Sequence, residues 1–331
     1  MKIKELANIA GVSTATISRV INNHPNVNDK TREKVLKIIE EKNYVPNFLA
    51  QSLSSQKNNF IAVIVPDINN PFYSEIIKNI FLTVKSKYHI IIFDTNDDPI
   101  EEKTILNTLK SLNFIGAIIS PTSSNKSSEN LELFKNFNIP FVIFDRLLEC
   151  DFNYGVFLDD YKGGYLAGQS LIESGHKEAA IITGPLSSMV AKNRLEGFKQ
   201  AFLDNDLPFF EKNIYEGNFL YDSGYNNSIK IFNFNPEVTA IFTCNNLMTL
   251  GLIKALKDFK LENKYSLFGF DNPDYFDILN LNISSISRDV KLMAVTSINL
   301  LLKVIETPNY KPEKFFLKPS VQIKGSEKLK I

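Results

Sequence analysis

From Phe60 onward the chain repeats one pattern: a short, mostly apolar run, then a longer stretch whose apolar residues recur at helical spacing. Runs of this kind lie at 61–65, 90–93, 117–120 and 141–144, and again at 179–183, 239–243 and 266–270. Strands apolar on both faces and separated by helices predict parallel sheets covered by helices. Two such series predict two doubly wound subdomains. Ligands of these folds sit outside the carboxyl ends of the strands, so the natural pocket is a cleft between the subdomains.

The first 58 residues differ in kind. Ile3, Leu6, Ala7 and Ala10 have the spacing of a short amphipathic helix, and Gly11-Val12 supplies a tight turn. Ser13 is placed to cap a second helix, in which Ile17, Val20 and Ile21 form the inner stripe. Ala15, Ser18, Arg19 and Asn22 form its outer polar face. A third helix follows, with Asn28 as its cap and Val35, Leu36 and Ile39 as its buried side. Three short helices of this kind suit a helix-turn-helix domain, whose second helix enters the major groove. Arg19 can offer a bidentate fork to guanine, and Thr14 and Ala15 are small enough for close approach. Ser13, Thr16 and Ser18 suit phosphate oxygens. The bland alternative is a three-helix bundle whose polar face is merely solvated.

Charge distribution leans toward the DNA reading. The 331 residues carry 37 Lys/Arg and 37 Asp/Glu, a formal net charge of zero. Residues 1–58 hold nine Lys/Arg against five Asp/Glu, a net of +4, leaving −4 for the rest. A basic module on an acidic body points to a polyanion partner at one end only. Cys150 and Cys244 lack metal-ligand spacing and fit a reducing compartment. The N-terminus does not read as a signal peptide, and no apolar run approaches the ~20 residues that span a bilayer. A cytoplasmic protein with no membrane partner is the expectation.

Enzyme motifs are missing: no P-loop with its lysine, no G-x-G-x-x-G, no G-x-S-x-G. Lys162-Gly163-Gly164 reads as a strand-to-helix turn rather than a phosphate cradle. His24, His89 and His176 are isolated, and His176, after Gly175, reads as a helix C-terminal residue. No catalytic group, cofactor or metal is expected.

The N-terminal residues carry a whole-family resemblance. Ile3-Lys4-Glu5-Leu6-Ala7, Ala10-Gly11-Val12-Ser13 and Ala15-Thr16-Ile17-Ser18-Arg19-Val20-Ile21-Asn22 resemble the DNA-binding signature of the lactose repressor (LacI/GalR) family. The likeness continues through Thr31-Arg32-Glu33-Lys34-Val35 and Tyr44-Val45-Pro46-Asn47 and persists to the C-terminus. It implies a helix-turn-helix domain at 1–46, a hinge helix and linker at 47–58, and an effector-binding and dimerisation body at 59–331. The implied body has the fold of periplasmic sugar-binding proteins (type I). Its N-subdomain would take about 60–159 plus 288–318, and its C-subdomain about 160–287 plus 319–331.

In related repressors the hinge segment becomes helical only on operator DNA, pairing with its dimer mate in the minor groove. The resemblance therefore adds Asn47, Ala50, Gln51 and Leu53 to the DNA-binding residues, with Leu53 as a wedge between base steps. Gln51 stands where the family often has arginine. By position it places Phe72, Asp145, Arg146, Ser188, Val190, Arg194, Phe219, Asn245 and Asp271 in the effector cleft. Asp271 and Arg194 would bond vicinal hydroxyls, Asn245 would donate and accept, and Phe72 and Phe219 would cover apolar ring faces. The bland alternatives are that Asp145-Arg146 is a buried structural pair and that the phenylalanines are core. Asn246 replaces an aspartate common in the family, and Asp160 a common asparagine.

The resulting expectation is a homodimeric repressor of a carbohydrate-utilisation operon, bound to near-palindromic operator DNA and controlled by a small sugar or sugar phosphate. The alternatives are a solute-binding protein of the transport type, or a catabolite regulator that uses a phosphoprotein co-repressor.

Overall fold

A computed structural model of the chain describes residues 1–21, 24–44, 59–84, 87–307 and 309–329. The chain divides into two compact units, Met1–Asn58 and Asn59–Ile331. Asn22, Asn47, Ala50, Gln51 and Leu53, and with them the expected hinge helix, lie outside the described residues.

The first unit contains α1 (Ile3–Ala10), α2 (Thr14–Ile21) and α3 (Asp29–Glu41). Gly11 ends α1 at φ 66°, a left-handed position that glycine adopts without steric cost, and its N–H returns to the carbonyls of Ala7 and Asn8. Ser13 Oγ accepts the Thr16 amide at 3.1 Å, closing the start of α2. Asn28 accepts from the Lys30 amide at 3.0 Å at the start of α3. The core is small: Leu6, Ala7, Ala10, Ile17, Val20 and Val35, with Ile38 and Ile39 packed against it. Leu36 departs from expectation, being 48 % exposed. The inner stripe of α3 is Val35, Ile38 and Ile39, and a step of one residue from Val35 turns Leu36 about 100° away from it.

The second unit holds two six-stranded sheets. The first lobe contains β1 (Phe60–Val65), α4 (Pro71–Val84), β2 (His89–Asp94), α5 (Pro99–Ser111), β3 (Gly116–Ile119), α6 (Lys126–Phe137), β4 (Phe141–Asp145) and β5 (Tyr154–Leu158). The second contains α7 (Asp160–Glu173), β6 (Ala179–Thr183), α8 (Met189–Asp204), β7 (Ile214–Glu216), α9 (Tyr221–Phe234), β8 (Ala240–Thr243), α10 (Asn246–Phe259), β9 (Ser266–Phe270), α11 (Asp274–Ile278) and β10 (Ser284–Ser287). The chain then returns through α12 (Val290–Glu306), which packs on α4 and on the strands of the first lobe. It adds β11 (Glu313–Leu317) to the first sheet and β12 (Ser320–Gln322) to the second.

Strand orders are β11-β5-β4-β3-β1-β2 and β12-β10-β9-β8-β6-β7, parallel throughout except for the β10–β12 pair. β3, β6, β8 and β9 are buried along their whole length, as sheets covered on both faces require. The chain thus crosses between lobes three times, after β5, β10 and β11. Glycines set one packing distance that matters for the cleft. A Cβ on Gly164 would lie 2.0 Å from the Arg194 carbonyl oxygen, and one on Gly197 would lie 1.9 Å from that of Tyr161. Gly163-Gly164 therefore belong to the interior of α7 rather than to a turn, and they let α7 and α8 touch.

Candidate functional site

The strand ends of both lobes meet at a cleft of about 510 Å³. Asp67, Asn69, Asn70, Phe72, Tyr73, Asn96, Asp97, Asp145 and Arg146 line it from the first lobe. Val190, Arg194, Asn218 through Asp222, Asn245, Leu247 and Asp271 line it from the second, and Arg288 stands at the crossing after β10. Eight of the nine residues placed there from the sequence do line it. Ser188 does not: it is the N-cap residue of α8 and faces an adjoining cavity.

Backbone strain marks the same strand ends. Asp145, Phe219 and Asp271 all have φ near +64°. Such a conformation is tolerated by Asp and is costly for Phe, by about 1–2 kcal/mol. Phe219 is held there because Gly184 leaves room for its ring, which a Cβ on Gly184 would overlap at 2.0 Å. Strained residues of this kind concentrate where a surrounding structure has a ligand to hold.

Charge inside the cleft is paired before any ligand arrives. Arg194 donates from Nε and Nη2 to Asp160 at 2.8 and 2.7 Å, and its guanidinium lies 3.5 Å from the centre of the Phe270 ring. Arg146 pairs with Asp97 at 2.6 Å and also reaches the Pro121 carbonyl. Arg146 and Asp145 are therefore not a pair with each other. Arg288 grips Asp271 with two nitrogens at 2.8 and 2.7 Å and bonds Asp145 with a third. Its guanidinium stacks 3.4 Å from the centre of the Phe72 ring. One side chain thus bridges a carboxylate of each lobe and an aromatic wall. A second link crosses the cleft from Asn246 Nδ2 to Asn70 Oδ1, at 3.2 Å.

These surroundings drive neighbouring carboxylates apart. Burial works to raise Asp145, but Arg288, Arg146 and Arg194 outweigh it and hold its pKa below the ordinary value. For Asp160 burial wins: with Asp145 also repelling its charge, the carboxyl is pushed up to about 6 despite Arg194. Burial likewise raises Tyr73, whose hydroxyl donates to Asp145 at 3.0 Å. Asn245 is both cap and wall, since its Oδ1 accepts the Met248 amide at 2.9 Å and its Nδ2 donates to the Phe219 carbonyl at 2.6 Å.

Sequence reasoning overlooked Arg288, Tyr73 and Asp97. Arg288 ends Ser284–Ser287, a serine-rich strand without an apolar run to announce it. The signal that marks it is its place directly after the carboxyl end of that strand, where ligands of this fold sit. His176 is a satisfied core histidine, 1 % exposed, held between Thr239 Oγ1 and the Glu327 carbonyl. Among the described residues no cluster of His, Cys, Asp or Glu could hold a metal ion, and no helix is long and apolar enough to cross a membrane.

The first unit offers a different kind of surface. Ser13, Thr14, Ala15 and Arg19 are exposed on one side of α2, with Thr16 and Ser18 half-buried beside them. Ile17 and Val20 face the core.

A helix-turn-helix module joined to a two-lobed body with a charged, aromatic-walled cleft defines a DNA-binding regulator with a small-molecule-binding domain. Residues 2–47 match bacterial regulatory proteins of the lacI family, and residues 61–276 match a periplasmic binding protein domain. Catabolite control protein A of Priestia megaterium is 32 % identical over 305 residues, covering 91 % of each chain. The HTH-type transcriptional repressor PurR of Actinobacillus pleuropneumoniae is 31 % identical over 333 residues, 98 % of this chain and 97 % of that one. A solved complex of the transcriptional regulator CelR with cellobiose is 25 % identical, with a TM-score of 0.75 over 98 % of this chain and 99 % of that one. The chain belongs to the LacI family of bacterial transcriptional regulators, and it is not an enzyme.

Proposed function

We propose that the protein represses a carbohydrate-utilisation operon as a homodimer, and that a small carbohydrate in the cleft sets its affinity for operator DNA. The observation that carries the effector reading is the pairing of charge. Three guanidinium groups (Arg146, Arg194, Arg288) face four carboxylates (Asp97, Asp145, Asp160, Asp271), so the cleft has no net positive charge for an anionic ring. What it offers instead is fixed donors and acceptors beside Phe72 and Phe219, which suits vicinal hydroxyls on one face of a ring and C–H groups on the other. The cellobiose bound to the related regulator CelR is a ligand of that chemistry.

On the DNA side, Ser13, Thr14, Ala15, Thr16, Ser18 and Arg19 contact the major groove, with Arg19 reading guanine. A two-fold symmetric dimer calls for a near-palindromic operator, one module per half-site. Asn47, Ala50, Gln51 and Leu53 would follow the minor groove, Leu53 as the wedge.

Coupling between two sites is reciprocal. A sugar that weakens operator binding therefore binds less tightly when operator is present, and a co-repressor binds more tightly. The test is isothermal titration of mono- and disaccharides into the protein with and without an operator duplex from its own promoter region. Equal sugar affinity in both titrations removes the switch. Absence of any specific DNA complex, with or without sugar, would instead favour a pure solute-binding role.

A further inference from the structure

Arg288 sits on one of the three crossings between the lobes, and its backbone is fixed from both sides. Before it, Ser287 pairs with Ser320 in the second sheet. After it, Asp289 caps α12, accepting the Leu292 amide at 2.7 Å, and α12 packs on the first lobe. From that position all three guanidinium nitrogens find acceptors within the protein. Nε and Nη2 hold Asp271, just past β9 in the second lobe, and Nη1 holds Asp145, at the end of β4 in the first. Asp145 is also held at its other oxygen, where the Tyr73 hydroxyl donates at 3.0 Å. Phe72 of α4 backs the guanidinium.

This bridge is dry and charged. The Arg288, Asp145 and Asp271 side chains are 6, 8 and 11 % exposed, so salt screens it little. A second polar link across the cleft, from Asn246 Nδ2 to Asn70 Oδ1, joins neutral groups at 3.2 Å, and Asn246 Oδ1 has no hydrogen-bond partner. Charge-assisted forks are the stronger kind of bond. Drawing the lobes apart would pull Asp145 off Arg288, and a buried carboxylate tolerates the loss of its cation poorly. Yet about 510 Å³ of cleft remains beside the closed bridge, so a ligand has room without breaking it.

We propose that Arg288 is a latch that holds the two lobes closed on each other before any ligand is bound. The inference concerns the body alone and does not depend on which effector the cleft takes. A body closed in advance changes how a ligand can act. The ligand meets lobes already at their bound spacing, so it loses none of its affinity to drawing them together. Its leverage lies in the ends of the bridge, since a group that competes with Arg288 for Asp145 would release the first lobe.

The experiment measures the spacing of the lobes in the ligand-free full chain. Spin labels are attached at Lys126→Cys in the first lobe and Lys192→Cys in the second, both exposed positions, in a Cys150→Ser background, with Cys244 buried. Labelled chain is diluted into unlabelled chain, so that pulsed dipolar spectroscopy reads one pair. The expected result is a single narrow distance that high salt leaves unchanged. Asp145→Asn and Arg288→Gln should each shift the distribution to longer, broader distances. Arg288→Lys, which keeps the charge and loses the fork, should do the same. If Arg288→Gln fails to fold, Asp145→Asn carries the test, because it leaves the grip on Asp271 whole. A broad distribution in the unsubstituted body, or one that opens in high salt, overturns the latch. So does a narrow distance that survives any of the three substitutions.

Discussion

The outer face of α2 and the interior of the cleft both carry arginine, and they treat its charge in opposite ways. Arg19 stands exposed on a short helix above a core of six buried residues. Arg146 and Arg194 are buried, the Arg288 side chain is only 6 % exposed, and each already holds a carboxylate. The difference fits what each surface is proposed to meet, DNA for the one and a neutral sugar ring for the other. DNA brings its own negative charge and releases counterions on binding, so a groove-reading arginine gains by arriving unpaired. A sugar ring brings no countercharge, so a guanidinium taken out of water must be neutralised by the protein itself. Pre-pairing also fixes geometry, because a bidentate carboxylate leaves the guanidinium plane no freedom to rotate.

The strongest way to break that comparison is Arg288→Met. It strands Asp145 and Asp271 as buried carboxylates without their cation, and such a loss costs about 3–5 kcal/mol. Chemical denaturation should show a destabilised body, together with lost sugar binding. A change below about 1 kcal/mol would mean that the two carboxylates are hydrated and that Arg288 is no bridge. Ile17→Ala is the counterpart in the first unit. It empties a fully buried position of a small core and should cost about 2–3 kcal/mol, toward the lower part of the range for such truncations. Operator binding should fall while sugar titrations of the same sample stay unchanged. Loss of both activities would show that the two units do not fold independently.

The legibility of the molecule divides along similar lines. The apolar runs at 61–65, 179–183 and 266–270 announce β1, β6 and β9, because a strand buried on both faces is mostly apolar. The edge strands β7 and β11 escape such reading, since half their surface faces solvent. β10 escapes for another reason: its Ser284 and Ser285 are fully buried, and Ser284 spends its polarity on Glu327 and the Lys324 amide. The family resemblance led to eight cleft residues, but which groups pair could not be read. Asp145 and Arg146 are neighbours in sequence, yet their partners are Arg288 and Asp97, 143 and 49 positions away. Leu36 failed by a single step of helical phase.

Arg19→Ala tests the open side of the comparison. If Arg19 forks onto guanine O6 and N7, its loss should weaken operator binding by about 1–3 kcal/mol and relax preference at one base pair of each half-site. Binding to a set of single-substituted operators reads this directly. A uniform loss across all of them, with a shallower salt dependence, would reassign Arg19 to a phosphate.

The paired side has a subtler signature in Asp160. Its carboxyl is pushed up to about 6 by burial, against an ordinary value near 3.8. Between about pH 6 and pH 4 the folded protein therefore takes up a proton that the unfolded chain does not. The group's stabilising contribution is full below the unfolded pKa and is lost as pH rises through the folded one. Asp145 moves the other way, and its contribution disappears only as pH falls below the ordinary carboxylate range. The comparison of wild type with Asp160→Asn, in which the amide oxygen can still accept from Arg194, isolates the first effect from the second. The melting temperature of the wild type relative to the variant should rise by ~2–4 °C from pH 7 to pH 5, as about 1 kcal/mol does in a domain of this size class. A difference that stays flat across that range would place Asp160 at an ordinary pKa. It would then be a carboxylate fully compensated by Arg194, like Asp145 with Arg288.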